Sequence, residues 1–384
     1  MLDHTTASVG SAQGHAEHSN APQETAMLTG TVFVLIQFDV CEEIQLARLS
    51  EIMSARTLSK PSMKHPAPGY IRYQRPPVVE PIEPLVLESG ERLHGEIKYY
   101  DYGVLSVVFQ LPFAGDWETL VRLASRWVWD VDFSAHAARI VKQRLERAAP
   151  ALVKPYKEWL SEDYFVFHVR EVADMPTASE LLERRGPLVA QIVRGERTQL
   201  AESESNEVLQ SRISFYPNDL AVIGWNAAFL YDTAAGAETA IQLLEYANSQ
   251  LLEFRHYDEL LSRELESVYT SLERGTGFFR RWRMARSASA LYTRLLEVME
   301  LTEHADNAIK FLSDMFAARL YRLAAVKIGV PDYKTLVTQK LDTAGDLYRF
   351  MVDQFNQSRA FVLESAVVII LIIELIFLFR GKVI

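Results

Sequence analysis

Cysteine is nearly absent. Cys41 is the one cysteine in 384 residues, so no intramolecular disulfide can form. That fits a reducing compartment. Basic residues are outnumbered, 40 Lys and Arg against 50 Asp and Glu. The net charge of -10 gives no general electrostatic reason to bind nucleic acid. Lysine and arginine are missing altogether from 1–28. That stretch lacks the basic and apolar regions of a secretory signal and the Arg-rich character of a mitochondrial transit peptide. Catalytic signatures are missing too. There is no P-loop, no G-x-G-x-x-G after a strand, no G-x-S-x-G and no H-E-x-x-H. The sequence predicts no enzyme, no cofactor and no metal centre.

What is present is an apolar run at the end. Residues 360–379 read AFVLESAVVIILIIELIFLF, interrupted by Glu364 and Glu374 and bracketed by Arg359 and Arg380. About twenty apolar residues in a helix reach roughly 30 Å, the thickness of a hydrocarbon core. The reading is one C-terminal transmembrane helix over 360–380, with Arg359 and Arg380 at the two interfaces. The expected placement is tail-anchored and single-pass, with the bulk of the chain cytoplasmic, at a bacterial inner membrane. Charged residues inside a span are costly and point to a role, so Glu364 and Glu374 are the expected assembly determinants.

Ahead of that run, 1–29 is polar and without periodicity, the signature of a disordered tail. TVFVLIQFDV (31–40) is β-branched and aromatic, hence a strand, and CEEIQLARLSEIM continues as a helix. A hairpin is expected around Asp101-Tyr102-Gly103, and Asp116 caps the helix that follows. A similar order recurs. YFVFHVREV (164–172) is a strand, Thr177 and Glu180 form a capping box, and a second hairpin leads through Pro217-Asn218-Asp219. This predicts an α+β head of duplicated ferredoxin-like strand-helix-hairpin-helix units, with subdomains at 30–150 and 151–233.

From 234 the pattern becomes helical, and 234–359 reads as a three-helix coiled-coil stalk. Its seam includes Leu244, Leu251, Phe254, Asp258, Leu261 and Leu265 in the first helix and Ile309 and Leu312 in the second. Asp258 is the charge in the first seam, either a register determinant or a solvated edge. The first two helices would be roughly 57 and 60 Å long. Antiparallel packing then puts the first turn, RGTGFFRRWRMAR, near the membrane end. Its Arg280, Arg281, Trp282, Arg283 and Arg286 read as a membrane-interface contact, with RNA binding or a plain solvated loop as rivals. His256 with Glu253 and Glu259, at helical spacing, reads as a surface pairing rather than half a metal site. Cys41 reads as a packing residue, and His168, mid-strand, as a satisfied or surface histidine.

The helical half resembles a known family. SRAFVLESAVVIILIIELIFLF after long helices, and Tyr102-Gly103-Val104 before a β run, are similar to the Rmd (required for meiotic nuclear division) family. The stretch from NAAFLYD through LLEYANSQLLEFRHYDELLSREL looks like uncharacterised bacterial relatives. The Rmd resemblance implies a membrane-tethered protein with an α+β head, a C-terminal helical hairpin and a span. A mitochondrial member of that family is associated with organellar translation at the inner membrane. It supplies no catalytic residues to carry over.

The expected function is a membrane-anchored, non-enzymatic scaffold. It would self-associate into a homo-oligomer through the stalk and transmembrane helix, with the lipid bilayer and a protein on the head as partners. The alternative is a membrane-tethered RNA- or ligand-binding sensor.

Overall fold

The computed structural model describes residues 27–53, 56–57, 76–273, 291–293, 295–296, 298–299 and 315–380. Its centre is β1 (Leu28–Ile44), a 17-residue strand whose two faces are both covered. A strand buried on both faces reads as a near-continuous apolar run, which is why 31–40 shows little alternation. Val32, Val34, Ile36, Phe38 and Val40 face one layer of helices. Leu35 and Phe33 face the other.

The remaining strands are β2 (Arg56–Thr57), β3 (Val78–Val86), β4 (Arg92–Tyr99), β5 (Val104–Gly115), β6 (Leu152–Val172), β7 (Arg212–Ile213), β8 (Leu220–Ile223) and β9 (Ala227–Tyr231). They form one sheet in the order β2-β3-β4-β5-β1-β6-β9-β8-β7. Every pairing is antiparallel except β6 with β9. On the first face lie α1 (Leu46–Met53), α2 (Trp117–Trp129), α3 (Phe133–Ala148), α4 (Ala178–Arg194) and α5 (Glu202–Gln210). Trp127 is fully buried there, edge-on to Phe133, which packs in turn on Phe109 and Phe165. On the second face lie α6 (Ala234–Glu273), α7 (Met315–Ile328) and the start of α8 (Val330–Arg380).

The helix ends follow local chemistry. Asp116 accepts from the Thr119 amide, and Thr177 and Glu180 close the expected capping box. Gly195 ends α4 with φ +68°, and a Cβ there would press on Val128 and the Trp129 indole. Gly195→Ala is expected to lower stability by about 1–2 kcal/mol, because L-residues resist the left-handed region. A urea midpoint shift at unchanged slope would show it.

Two expectations are corrected here. The head is not a pair of duplicated ferredoxin-like units but one large mixed sheet. The physical reason is β1: it bonds to β5 on one side and to β6 on the other, so strands from both halves of the head share a single ladder. The C-terminal transmembrane helix is the second. Helix α8 does run unbroken to Arg380. Among the described residues, however, no helix is long and apolar enough to cross a membrane. Two carboxylates, Glu364 and Glu374, interrupt its apolar part. The tail-anchored, single-pass placement at a bacterial inner membrane is withdrawn with it.

Candidate functional site: a buried polar seam under helix α6

Four neighbouring strands place a polar rung on the face toward α6. By register, Lys98 of β4 stands beside Ser106 of β5, Ser106 beside Gln37 of β1, and Gln37 beside Glu162 of β6. One rung further along β1 is Asp39. Helix α6 answers with a polar stripe at helical spacing: Glu245, Ser249, Glu253 and His256. Lys98 Nζ lies 2.7 Å from Glu245 Oε2 and 3.5 Å from Glu96 Oε1. Gln37 Nε2 donates to the Glu245 carbonyl at 2.7 Å, and Tyr102 Oη shares a hydrogen bond of 2.9 Å with Ser249 Oγ. Arg255 pairs closely with Glu162.

The seam ends in a cluster at a distortion of the sheet. The β1–β6 register shifts between Asp39 and Cys41, and Lys154 on β6 takes φ +46°. Such bulges re-aim side chains. Here Tyr156 stacks on the His256 ring at 4.5 Å. His256 Nδ1 is 2.9 Å from Asp39 Oδ2, a close charge contact without the alignment of a hydrogen bond. Tyr257 donates a short hydrogen bond to Glu253.

Acceptors outnumber donors in this seam. Gln37 Oε1, Glu245 Oε1, Glu253 Oε1 and both Asp39 carboxylate oxygens are buried with no hydrogen-bond partner among the described residues, as is Ser106 Oγ. A buried carboxylate in that position is costly. Burial raises the Asp39 pKa well above the ordinary carboxylate range. Burial, and then the Asp39 charge, does the same to Glu253. Burial lowers His256, against the opposing pull of Glu253. Burial also pulls the Lys98 pKa down, but the Glu245 and Glu96 charges outweigh it and leave Lys98 raised.

An Asp–His contact can serve a general base, but the one thiol near it among the described residues is not activated. The Cys41 thiol donates to the Glu43 carbonyl at 3.3 Å, and burial with the Asp39 charge pushes its pKa up to about 12. Low-pKa thiols, not raised ones, attack. His168 is satisfied by the Asp232 carbonyl at 2.9 Å. Among the described residues no group of three or more His, Cys, Asp or Glu has metal-holding geometry. A cavity of about 50 Å³ lies elsewhere, between β8, β9, α6 and α7, where Asp219 is engaged by the Phe215 and Tyr216 amides. It has room for a few waters.

Residues 29–238 match the family described as the N-terminal domain of uncharacterized protein MJ0711. The chain belongs to this family. Uncharacterized protein MJ0711 of Methanocaldococcus jannaschii is 20% identical over 238 residues, 62% of this chain and 72% of the relative. No solved structure matches. The matched MJ0711 N-terminal region ends just inside α6. It therefore supplies Gln37, Asp39, Lys98 and Tyr156, while Glu245, Glu253 and His256 come from the helix beyond it.

The other expected site residues are placed as follows. Leu244, Leu251, Phe254 and Leu261 of the predicted seam are buried, but against the sheet, α7 and α8 rather than in a free stalk. Leu265 joins Val268, Leu291, Leu295, Ala344 and Met351 in a separate outer cluster between helices. Asp258 is a paired position: Lys340 Nζ of α8 lies 2.5 Å from its carboxylate. Glu364, Glu374 and Arg380 are exposed. Arg280, Arg281, Trp282, Arg283, Arg286, Ile309 and Leu312, and the side chain of Arg359, lie outside the described residues. The buried seam itself was the missed feature. Gln37 and Asp39 at alternate positions of an apolar strand, and the 245-249-253-256 stripe, were its sequence signals.

Proposed function

We propose that this chain is a non-catalytic assembly protein: its head holds a long-helix hairpin, and the hairpin associates with copies of itself. One observation carries this reading. From Leu363 to Leu378, α8 exposes large apolar side chains on every side, from 47% for Ile373 to 71% for Phe377. A helix apolar all round belongs in a buried setting, and a patch of this kind marks an interaction surface. The partner we assign is a second copy. The face of α8 that carries Val337, Ala344 and Met351 into the helix-packing clusters continues along the same helix into this stretch. The outer cluster thus extends into a seam that identical helices can complete by symmetry.

Sizing with light scattering on the full chain, kept dispersed in mild detergent, tests it. A defined oligomer is expected. Changing Ile369, Ile373 and Ile376 together to Glu, three positions on one helix face, should yield monomer with an unchanged head by circular dichroism. A wild-type chain that remains monomeric across the concentration range would overturn the proposal.

A further inference from the structure

We propose that the seam under α6 is a proton-binding latch, in which Asp39, His256 and Glu253 together hold two protons when α6 is docked, and their loss frees the 245–257 stretch of α6 from the sheet. The proposal concerns the junction of head and hairpin and does not rest on self-association.

The geometry asks for protons. Asp39 is 1% exposed and Glu253 5%, yet three of their four carboxylate oxygens have no donor among the described residues. The fourth, on Glu253, is reached by Tyr257. One proton on either Asp39 or His256, whose Nδ1 lies 2.9 Å from Asp39 Oδ2, leaves no uncompensated charge on that pair whichever group carries it. A second proton on Glu253 removes the remaining charge from a site where a like-charged neighbour would otherwise repel it.

The surrounding charges do not replace those protons. On β1 the neighbours are Cys41, held neutral, and Glu42, which is paired to Lys154 of β6. On β6 Tyr156 has its hydroxyl pKa raised by burial and by the Asp39 charge, and Glu162 is taken by Arg255. On α6 itself Tyr257 is raised likewise by burial and by Glu253, and Arg263 is paired with Glu259. On β4 Lys98 is committed to Glu245 and Glu96. No free cation faces Asp39 or Glu253 among the described residues just named.

The sign follows from linkage. Asp39 and Glu253 are raised in the docked state, so their stabilisation is present at low pH and lost as pH rises out of the carboxylate range. His256 is lowered, so its contribution is present above about pH 6.5 and lost as pH falls. The two trends oppose each other below about pH 6.5 and only the acids act above it.

Hydrogen exchange with mass spectrometry on the full chain, corrected for intrinsic rates, reads the latch. Opening of the 245–257 stretch should rise about a hundredfold per pH unit above roughly pH 6.5, two protons per opening, until the first docked acid has titrated. Glu253→Gln should reduce that slope to about tenfold per pH unit, the single proton left on the Asp39–His256 pair. A flat wild-type profile, or an unchanged slope in Glu253→Gln, overturns the proposal. If that variant does not fold, infrared difference spectra of the wild-type chain decide. A protonated-carboxyl band that persists to neutral pH and disappears as the stretch opens supports the latch, and its absence overturns it.

Discussion

Lys98→Met is expected to destabilise the fold by about 3–5 kcal/mol, the cost of leaving a buried charge without its partner. Glu245 is wholly buried, and its Oε1 already has no partner among the described residues. Its Oε2 depends on Lys98 Nζ at 2.7 Å. Removing the ammonium leaves the carboxylate without that donor, and the Gln37 amide is already committed to the Glu245 backbone carbonyl. The expected readout is a lower urea midpoint with the transition slope unchanged. Lys98→Met combined with Glu245→Leu should recover most of the loss. Replacing both members of a buried ion pair with apolar groups is often neutral or better. A double variant as unstable as the single one would show that the pair is not energetically coupled.

Gly103→Ala is expected to cost about 3 kcal/mol or more. Gly103 sits at φ +93°, where an L-residue loses roughly 1–2 kcal/mol, and its Cβ would overlap the Cys41 carbonyl oxygen. That carbonyl belongs to the backbone of β1, so relief requires the β4–β5 turn to move off the central strand. The move would strain the bonds from Val40 N–H to the Gly103 carbonyl at 3.1 Å and from Ile44 N–H to the Asp101 carbonyl at 2.9 Å. Each such bond contributes on the order of 1 kcal/mol. Thermal melts of the full chain check the size of the effect. Gly90→Ala is the control, because it shares a positive φ (+87°) but has open space around the added Cβ. A loss at Gly103 no larger than at Gly90 would mean that the close approach to Cys41 has no energetic weight.

These two sites differ in how far they could be read beforehand. The turn at Asp101-Tyr102-Gly103 was legible because its chemistry is local: a glycine between two β-rich runs. The box at Thr177 and Glu180 was legible for the same reason, since donor and acceptor lie three residues apart. Lys98–Glu245 was not, because 147 residues separate the partners and nothing near Lys98 specifies which surface covers it. His256 is the clearest case. On its own helix it looks like an exposed histidine among acids, and only the bulge that carries Tyr156 over it and the arrival of Asp39 beneath it make it part of a buried cluster.

The periodicity of 234–273 correctly marked a long helix, yet not what it packs on. An apolar stripe that suits a coiled coil also suits the face of a sheet, and the choice depends on which surface is left bare once β1 has paired on both sides. Local order was settled by residue type and spacing, which act within a turn or two: the strand at β1, the turn at Gly103, the caps, and a helix that continues to Arg380. Tertiary structure alone decided that the two halves of the head share one sheet, that α6 closes over it, and that three ionisable groups meet in a seam short of donors. Burial and long-range pairing are properties of the assembled layers, and no short stretch of sequence contains them.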